Sequence, residues 1–140
     1  MAFLKEKQID VYYKVTQGRL KLRIINNKRG NLIFYERKEK TSKRISNYFI
    51  SETKSFKELD KILRSQFEVL AIVHKQRDIF LENNTRIHLD TVKGLGKFLE
   101  IEVVYKDIVK AKKQMEQLIA SLGLNEEDFI KESYSDLLIN

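Results

Sequence analysis

Between Arg19 and Ile24 the chain reads Arg-Leu-Lys-Leu-Arg-Ile, a strict alternation of cation and aliphatic. In an extended strand successive side chains point to opposite faces, so Arg19, Lys21 and Arg23 share one side and Leu20, Leu22 and Ile24 the other; a helix cannot make that division. The pattern returns at Lys75 and Arg77, at Arg86, His88 and Asp90 against Ile87 and Leu89, and at Glu100 and Glu102 against Leu99, Ile101 and Val103. A chain patterned this way has to become a sheet with one aliphatic and one charged face. No proline occurs in the 140 residues, which excludes Pro-rich linkers and suits a compact chain of regular elements.

The alternation predicts strands at residues 8–15, 19–25, 32–37, 45–51, 71–80, 86–90 and 98–104. Thr16-Gln17-Gly18, Asn26 to Asn31, Glu82-Asn83-Asn84 and Lys93-Gly94-Leu95-Gly96 read as turns. Ser55-Phe56-Lys57-Glu58 has the form of a capping box, and Leu59, Ile62, Leu63 and Phe67 follow at helical spacing, predicting a helix from Ser55 to about Val69. A second helix is expected at residues 106–122, closed by Gly123, and a third, capped by Asn125, with Glu126-Glu127-Asp128 in its first turn. The expected fold class is α+β: an antiparallel β tunnel or barrel of seven strands, not necessarily complete, with three helices outside and residues 1–140 forming a single domain.

Lys and Arg number 27 against 20 Asp and Glu, a net charge of +7, compatible with nucleic acid, an anionic lipid surface or a polyphosphate. The chain has no cysteine, which excludes disulfides, thiolate metal sites and cysteine nucleophiles. No apolar run approaches the roughly 20 residues of a membrane span, so no membrane partner is expected and a cytoplasmic location is the default. A polar sheet face is ordinarily solvated surface. Here it is built almost wholly from Arg, Lys and carboxylates, and the signs segregate, with cations on the early and middle strands and acids on the last. Like charges across strands repel unless an anion lies between them. A polyphosphate fills that role, because guanidinium and ammonium groups bind its oxygens with charge-assisted hydrogen bonds. Carboxylates on the same face would hold a hard divalent cation bridging to the phosphates.

The runs Gln8-Ile9-Asp10-Val11-Tyr12-Tyr13, Gly18 to Arg23, Leu32 to Arg37, Val73 to Arg77 and, above all, Arg86 to Glu102, with a Ser133-Tyr134-Ser135-Asp136-Leu137-Leu138 tail, resemble the CYTH family. That family holds the class IV adenylyl cyclases and thiamine triphosphatases, among the triphosphate tunnel metalloenzymes. The resemblance implies a β tunnel that binds a nucleotide or other organic triphosphate, with Mg or Mn as cofactor and lyase (cyclase) or hydrolase chemistry. By motif position Lys21, Arg23, Arg37, Lys75, Arg77 and Arg86 would bind the triphosphate, and Glu100, Glu102 and Asp90 the metal.

Members of the family open with a Glu-x-Glu-x-Lys strand and a helix ahead of the Gln-x-Asp strand, and no Glu-x-Glu-x-Lys occurs in this sequence. A natural binder without turnover, a tunnel completed by a second subunit's strand, and a shortened reading frame all remain open; an unclosed tunnel exposes strand edges, so a homodimer is one expectation. The functions in competition are a metal-dependent CYTH enzyme, a catalytically inactive nucleotide or polyphosphate binder, and an RNA-binding sheet. The last is disfavoured, so nucleic acid is not an expected partner, because Glu100, Glu102 and Asp90 would meet the phosphates without a metal. His88 reads as a hydrogen-bonded tunnel residue, His74 as structural, Tyr12, Tyr13, Phe34 and Tyr35 as core, and Lys38, Lys40, Lys43 and Arg44 as a basic loop, solvated or closing over the ligand.

Overall fold

The computed structural model describes residues 2–37, 46–104, 106–125 and 134–139. The chain runs β1 (Ala2–Tyr13), β2 (Arg19–Ile25), β3 (Arg29–Arg37), β4 (Ser46–Thr53), α1 (Phe56–Gln66), β5 (Val69–Glu82), β6 (Thr85–Val92), β7 (Gly96–Val103), α2 (Ile108–Ser121) and α3 (Tyr134–Ile139). All seven strands join one antiparallel sheet in the order β4-β3-β2-β1-β5-β6-β7. β4 and β7 are its edges and do not pair with each other, so the barrel is not closed.

Register fixes which residues share a face, because directly opposed residues of antiparallel strands point the same way. Asp10 lies opposite Arg23, Gln8 opposite Lys75, Arg77 opposite Asp90, His88 opposite Glu100 and Arg86 opposite Glu102. Every charged residue that the alternation sorted together therefore lies on one face. The sheet curls around that face. Arg23 on β2 and Glu100 on β7 are four strand spacings apart, roughly 19 Å on a flat sheet, yet Glu100 raises the pKa of Arg23, and Lys21 of β2 lowers that of Glu100.

The outer face carries the larger apolar core. Val11, Tyr13 and Leu22 are buried beneath Phe56 of α1, with Leu20, Ile24, Leu32, Leu59 and Leu63 packed around them. Gly30 is needed here, since a Cβ on it would lie 2.6 Å from the Cβ of Phe56. The Tyr13 hydroxyl ties β1 to α1 by donating to Asp60 at 2.7 Å. Ser55 is the N-cap of α1 but makes no side-chain cap bond, so the expected capping box does not form; its backbone N–H donates to Thr53 Oγ1 instead. The helix stops at Gln66 rather than Val69, because Phe67 is already extended and leads into β5. In α2 the Asp107 side chain accepts from the N–H groups of Val109 and Lys110, and Gly123 takes the positive φ of +66° expected after the helix.

Three other departures concern length and cover. Residues 2–7, expected to form no element, extend β1 by pairing with residues 76–81 of β5. β1 ends at Tyr13 rather than Val15, next to a register shift between Tyr12 and Tyr13, and Lys14 N–H bonds the Glu68 carbonyl. The described helices do not blanket the outer face: Leu89 and Leu99 remain 43% and 42% exposed. The helix expected after Asn125 and the basic loop from Lys38 to Arg44 lie outside the described residues. Among the described residues no helix is long and apolar enough to cross a membrane.

Candidate functional site

The inner face is polar and nevertheless buried. Gln8, Asp10, Lys21, Lys75, Arg77, His88 and Asp90 are all buried on it. Burying charge is costly unless each charge is paired and hydrogen-bonded, and the pairing here follows from the strand order. β1 is the central strand, flanked by β2 and β5. From that place Asp10, 0% exposed, collects cations from both neighbours. Arg23 grips it with Nε on Oδ1 and Nη2 on Oδ2, both at 2.8 Å. Lys75 Nζ donates to Oδ2 at 2.7 Å and Lys21 Nζ at 3.3 Å. Three cations thus share one carboxylate.

Electrostatics follow from this crowding. Burial alone would raise the pKa of Asp10, but Arg23, Lys21 and Lys75 outweigh it and hold the carboxyl well below the usual carboxylate range. Burial and repulsion from Arg23 push Lys21 down to about 7, with Asp10 pulling the other way. Lys75 falls to about 8, again chiefly by burial. Arg23 is held above its ordinary value: burial disfavours its charge, and Asp10 overrides that. Lys21 is the most loosely held of the three, with its second contact to the Tyr12 hydroxyl also at 3.3 Å and its ammonium lying over the Tyr12 and Tyr35 rings.

The neighbouring pair is self-contained. Arg77 Nε and Nη2 donate to Asp90 Oδ1 and Oδ2, both at 2.7 Å, and the Tyr134 hydroxyl donates to Oδ2 at 2.8 Å. Tyr134 also packs on Phe98, with centroids 5.0 Å apart, and Lys75 Nζ lies 5.6 Å from the centre of its ring. The start of α3 therefore lies against the inner face, where Tyr12, Val73 and Val92 form a second buried cluster partly covered by Leu95, Phe98 and Tyr134. Asp136 of the same helix reaches Arg19 at 3.3 Å.

Toward the β7 edge the face opens. His88 Nδ1 hydrogen-bonds Glu100 Oε1 at 3.1 Å, and Arg86 Nη1 approaches Glu102 only to 3.9 Å. The protein packed around Glu100 would disfavour its charge, but the His88 hydrogen bond and Arg77 outweigh that and hold it below the usual carboxylate range. Its side chain is still 49% exposed, so solvent screens part of that pull. Among the described residues no three His, Asp or Glu side chains gather into a ready metal cage. Glu100 and Glu102 are the accessible acids of β7, two residues apart on one face, and a pair of hard carboxylate donors suits an oxygen-seeking divalent ion. Asp90 has both oxygens engaged.

Of the residues expected at the site, Lys21, Arg23, Lys75, Arg77, Arg86, Asp90, Glu100 and Glu102 all lie on the inner face. The Arg37 backbone pairs with Ser46 at the end of β3; its side chain lies outside the described part. His74 sits exposed on the outer face, where its carbonyl accepts from Lys93 N–H. Asp10 was missed as a site residue although it stands in the Gln8-Ile9-Asp10 run; its signal was phase, Gln8, Asp10 and Tyr12 alternating with Ile9, Val11 and Tyr13. Glu6 also shares this face. It lies opposite Arg77, two positions before Gln8 on the same face, and accepts from Arg29 at 3.0 Å and from the Gln8 amide at 2.8 Å.

The CYTH domain matches residues 2–134. "Putative adenylate cyclase MJ0240" of Methanocaldococcus jannaschii is 30% identical over 74 residues, which make up 51% of this chain and 42% of that protein. The match thus spans less than half the length of that relative. Among solved structures, the PH1012 protein of Pyrococcus horikoshii superposes with a TM-score of 0.88 at 29% identity, covering 96% of this chain and 84% of that one. The PH1819 protein of the same organism gives 0.74 at 28% identity, covering 99% and 86%. With the family match extending over nearly its whole length and this fold beneath it, the chain belongs to the CYTH domain family.

Proposed function

We propose that the protein binds the triphosphate of a nucleotide or other organic triphosphate along the inner face of the curled sheet. The observation that carries this reading is the trio of buried Lys21 and Lys75 and half-buried Arg23 on the single carboxylate of Asp10. With all three protonated, three positive charges against one negative leave two in excess, at a place where water cannot solvate them well. An anion relieves that excess, and charge-assisted hydrogen bonds from guanidinium and ammonium groups are strong in such surroundings. Arg77 and Arg86 continue the row toward β7.

Glu100 and Glu102 would hold Mg or Mn together with the phosphates, since Mg is commonly bound through one or two carboxylates and substrate oxygens. Once bound, the cation would neutralise charge on the phosphate oxygens. The chain's own residues supply orientation and electrostatic stabilisation, the main demands of phosphoryl chemistry. Cyclisation and hydrolysis differ in which nucleophile is lined up, the substrate's own hydroxyl or a water. A binder without turnover is the second reading, favoured by the closed state of Asp90, whose oxygens are taken by Arg77 and Tyr134.

Incubating the protein with ATP, thiamine triphosphate and tripolyphosphate, with Mg or Mn, while measuring phosphate release, cyclic nucleotide and binding together, separates the readings. Turnover of any of them supports the enzyme. Binding without turnover supports the second reading, and no binding of any triphosphate removes both.

A further inference from the structure

We propose that Asp10 is the positioning residue of this anion site: it keeps the Lys21 and Lys75 ammonium groups charged and locks them, with the Arg23 guanidinium, into one cradle. The inference rests on the triphosphate reading and assigns the part of that site that decides how binding depends on pH.

Strand order and register make the case. Asp10 lies directly opposite Arg23, whereas Lys21 is opposite Tyr12 and Lys75 is opposite Gln8. The two lysines therefore sit diagonally to Asp10, one toward each end of β1 and one on each flanking strand. A carboxylate at this position of the central strand touches all three cations at 2.7–3.3 Å.

Apart from Glu100 on β7, whose charge attracts Lys21, the surroundings work against the amines. From β2, Arg23 repels both lysines, and from β5 Arg77 does the same. Asp90 on β6 is spent on Arg77, and Glu100 on β7 is hydrogen-bonded to His88. Tyr12 on β1, Tyr35 on β3 and Tyr134 on α3 offer only ring faces and a hydroxyl. Burial and these cations lower both lysines, and Asp10 pulls each of them back up. Without Asp10 the amines would shed their protons at lower pH, and the cradle would lose the charge an anion needs. A carboxylate that served packing alone would leave that titration where it is.

The test titrates tripolyphosphate into the full chain and its Asp10→Asn variant by calorimetry, from pH 5.5 to 9. The ligand's own ionisation is common to both arms and cancels in the comparison. For wild type, affinity should fall as pH passes 7 to 8; in Asp10→Asn that fall should move at least one pH unit lower. A variant whose profile coincides with wild type overturns the assignment while leaving the triphosphate reading intact. A wild type that binds at no pH removes that reading, and this inference with it. If circular dichroism shows that Asp10→Asn does not fold, Lys21→Arg supplies the second measurement, because it keeps Asp10 paired and replaces the amine by a group charged throughout the range. Its binding should persist at least one pH unit further into base than wild type, and an unchanged profile overturns the proposal.

Discussion

Arg77 and Asp90 face each other in direct register across β5 and β6, joined by two parallel 2.7 Å hydrogen bonds and buried on both sides. Removing one partner of such a pair strands the other as an uncompensated charge, at a typical cost of about 3–5 kcal/mol. Asp90→Asn should therefore lower unfolding free energy by about that amount in urea titration. Because tripolyphosphate can take the place of the lost carboxylate, its addition should raise the melting temperature of the variant more than that of wild type. Equal ligand-induced shifts would argue that Arg77 does not reach the bound anion.

Arg86 is the opposite case. Its side chain is half exposed and its contact to Glu102 is long, 3.9 Å, so the pair adds little to folding. Arg86→Ala should stay within about 0.5 kcal/mol of wild type in stability and lose about tenfold in triphosphate affinity, a change of about 1.4 kcal/mol. Calorimetry beside a denaturant titration reads both. Unchanged affinity would take Arg86 out of the site.

The buried ionisable groups also set how the ligand-free protein responds to pH. Asp10 is held low, so its contribution is present above the unfolded value near 3.9 and is lost as pH falls through its folded value. Lys21 and Lys75 are likewise lowered, to about 7 and about 8. Between those values and the unfolded lysine value near 10.4, the unfolded chain binds more protons, and stability must rise with pH. Tyr12, Tyr13 and Tyr134 are raised, chiefly by burial, so their contribution is lost above about pH 10. Denaturant midpoints in anion-free buffer should be higher at pH 9 than at pH 6.5. A midpoint that is flat or falling over this interval would show that the two amines are not buried together.

On the outer face, Gly30→Ala tests the seating of α1. The added methyl would meet Phe56 Cβ at 2.6 Å, and neither backbone can yield cheaply. Overpacking of this kind costs about 1–3 kcal/mol, which thermal unfolding resolves, while phosphate affinity should hold because the inner face is untouched.

Which side of the sheet each charged residue faces could be read from sequence because a period of two admits no second solution once the strand is recognised; Arg19 to Ile24 alone set the phase. What could not be read were relations across distance. Asp10 looks like a lone acid in an apolar strand until β2 and β5 bring Arg23, Lys21 and Lys75 to it, the last from 65 residues away. Tyr134 meets Asp90 only because α3 returns to the inner face, a tertiary contact without local periodicity. Residues 2–7 have too little alternation to mark a strand, and they become one because β5 is long enough to pair with them. The capping box failed for a local reason, since Thr53 took the Ser55 N–H.

The central claim is that the inner cations form one triphosphate site, and calorimetric titration of the wild-type protein at pH 6.5 with tripolyphosphate, ATP and orthophosphate addresses it most directly. The account predicts one saturable site for the two triphosphates, with orthophosphate at least about a hundredfold weaker, a difference of about 2.7 kcal/mol. Equal binding of all three, or no saturable heat with either triphosphate, would contradict it.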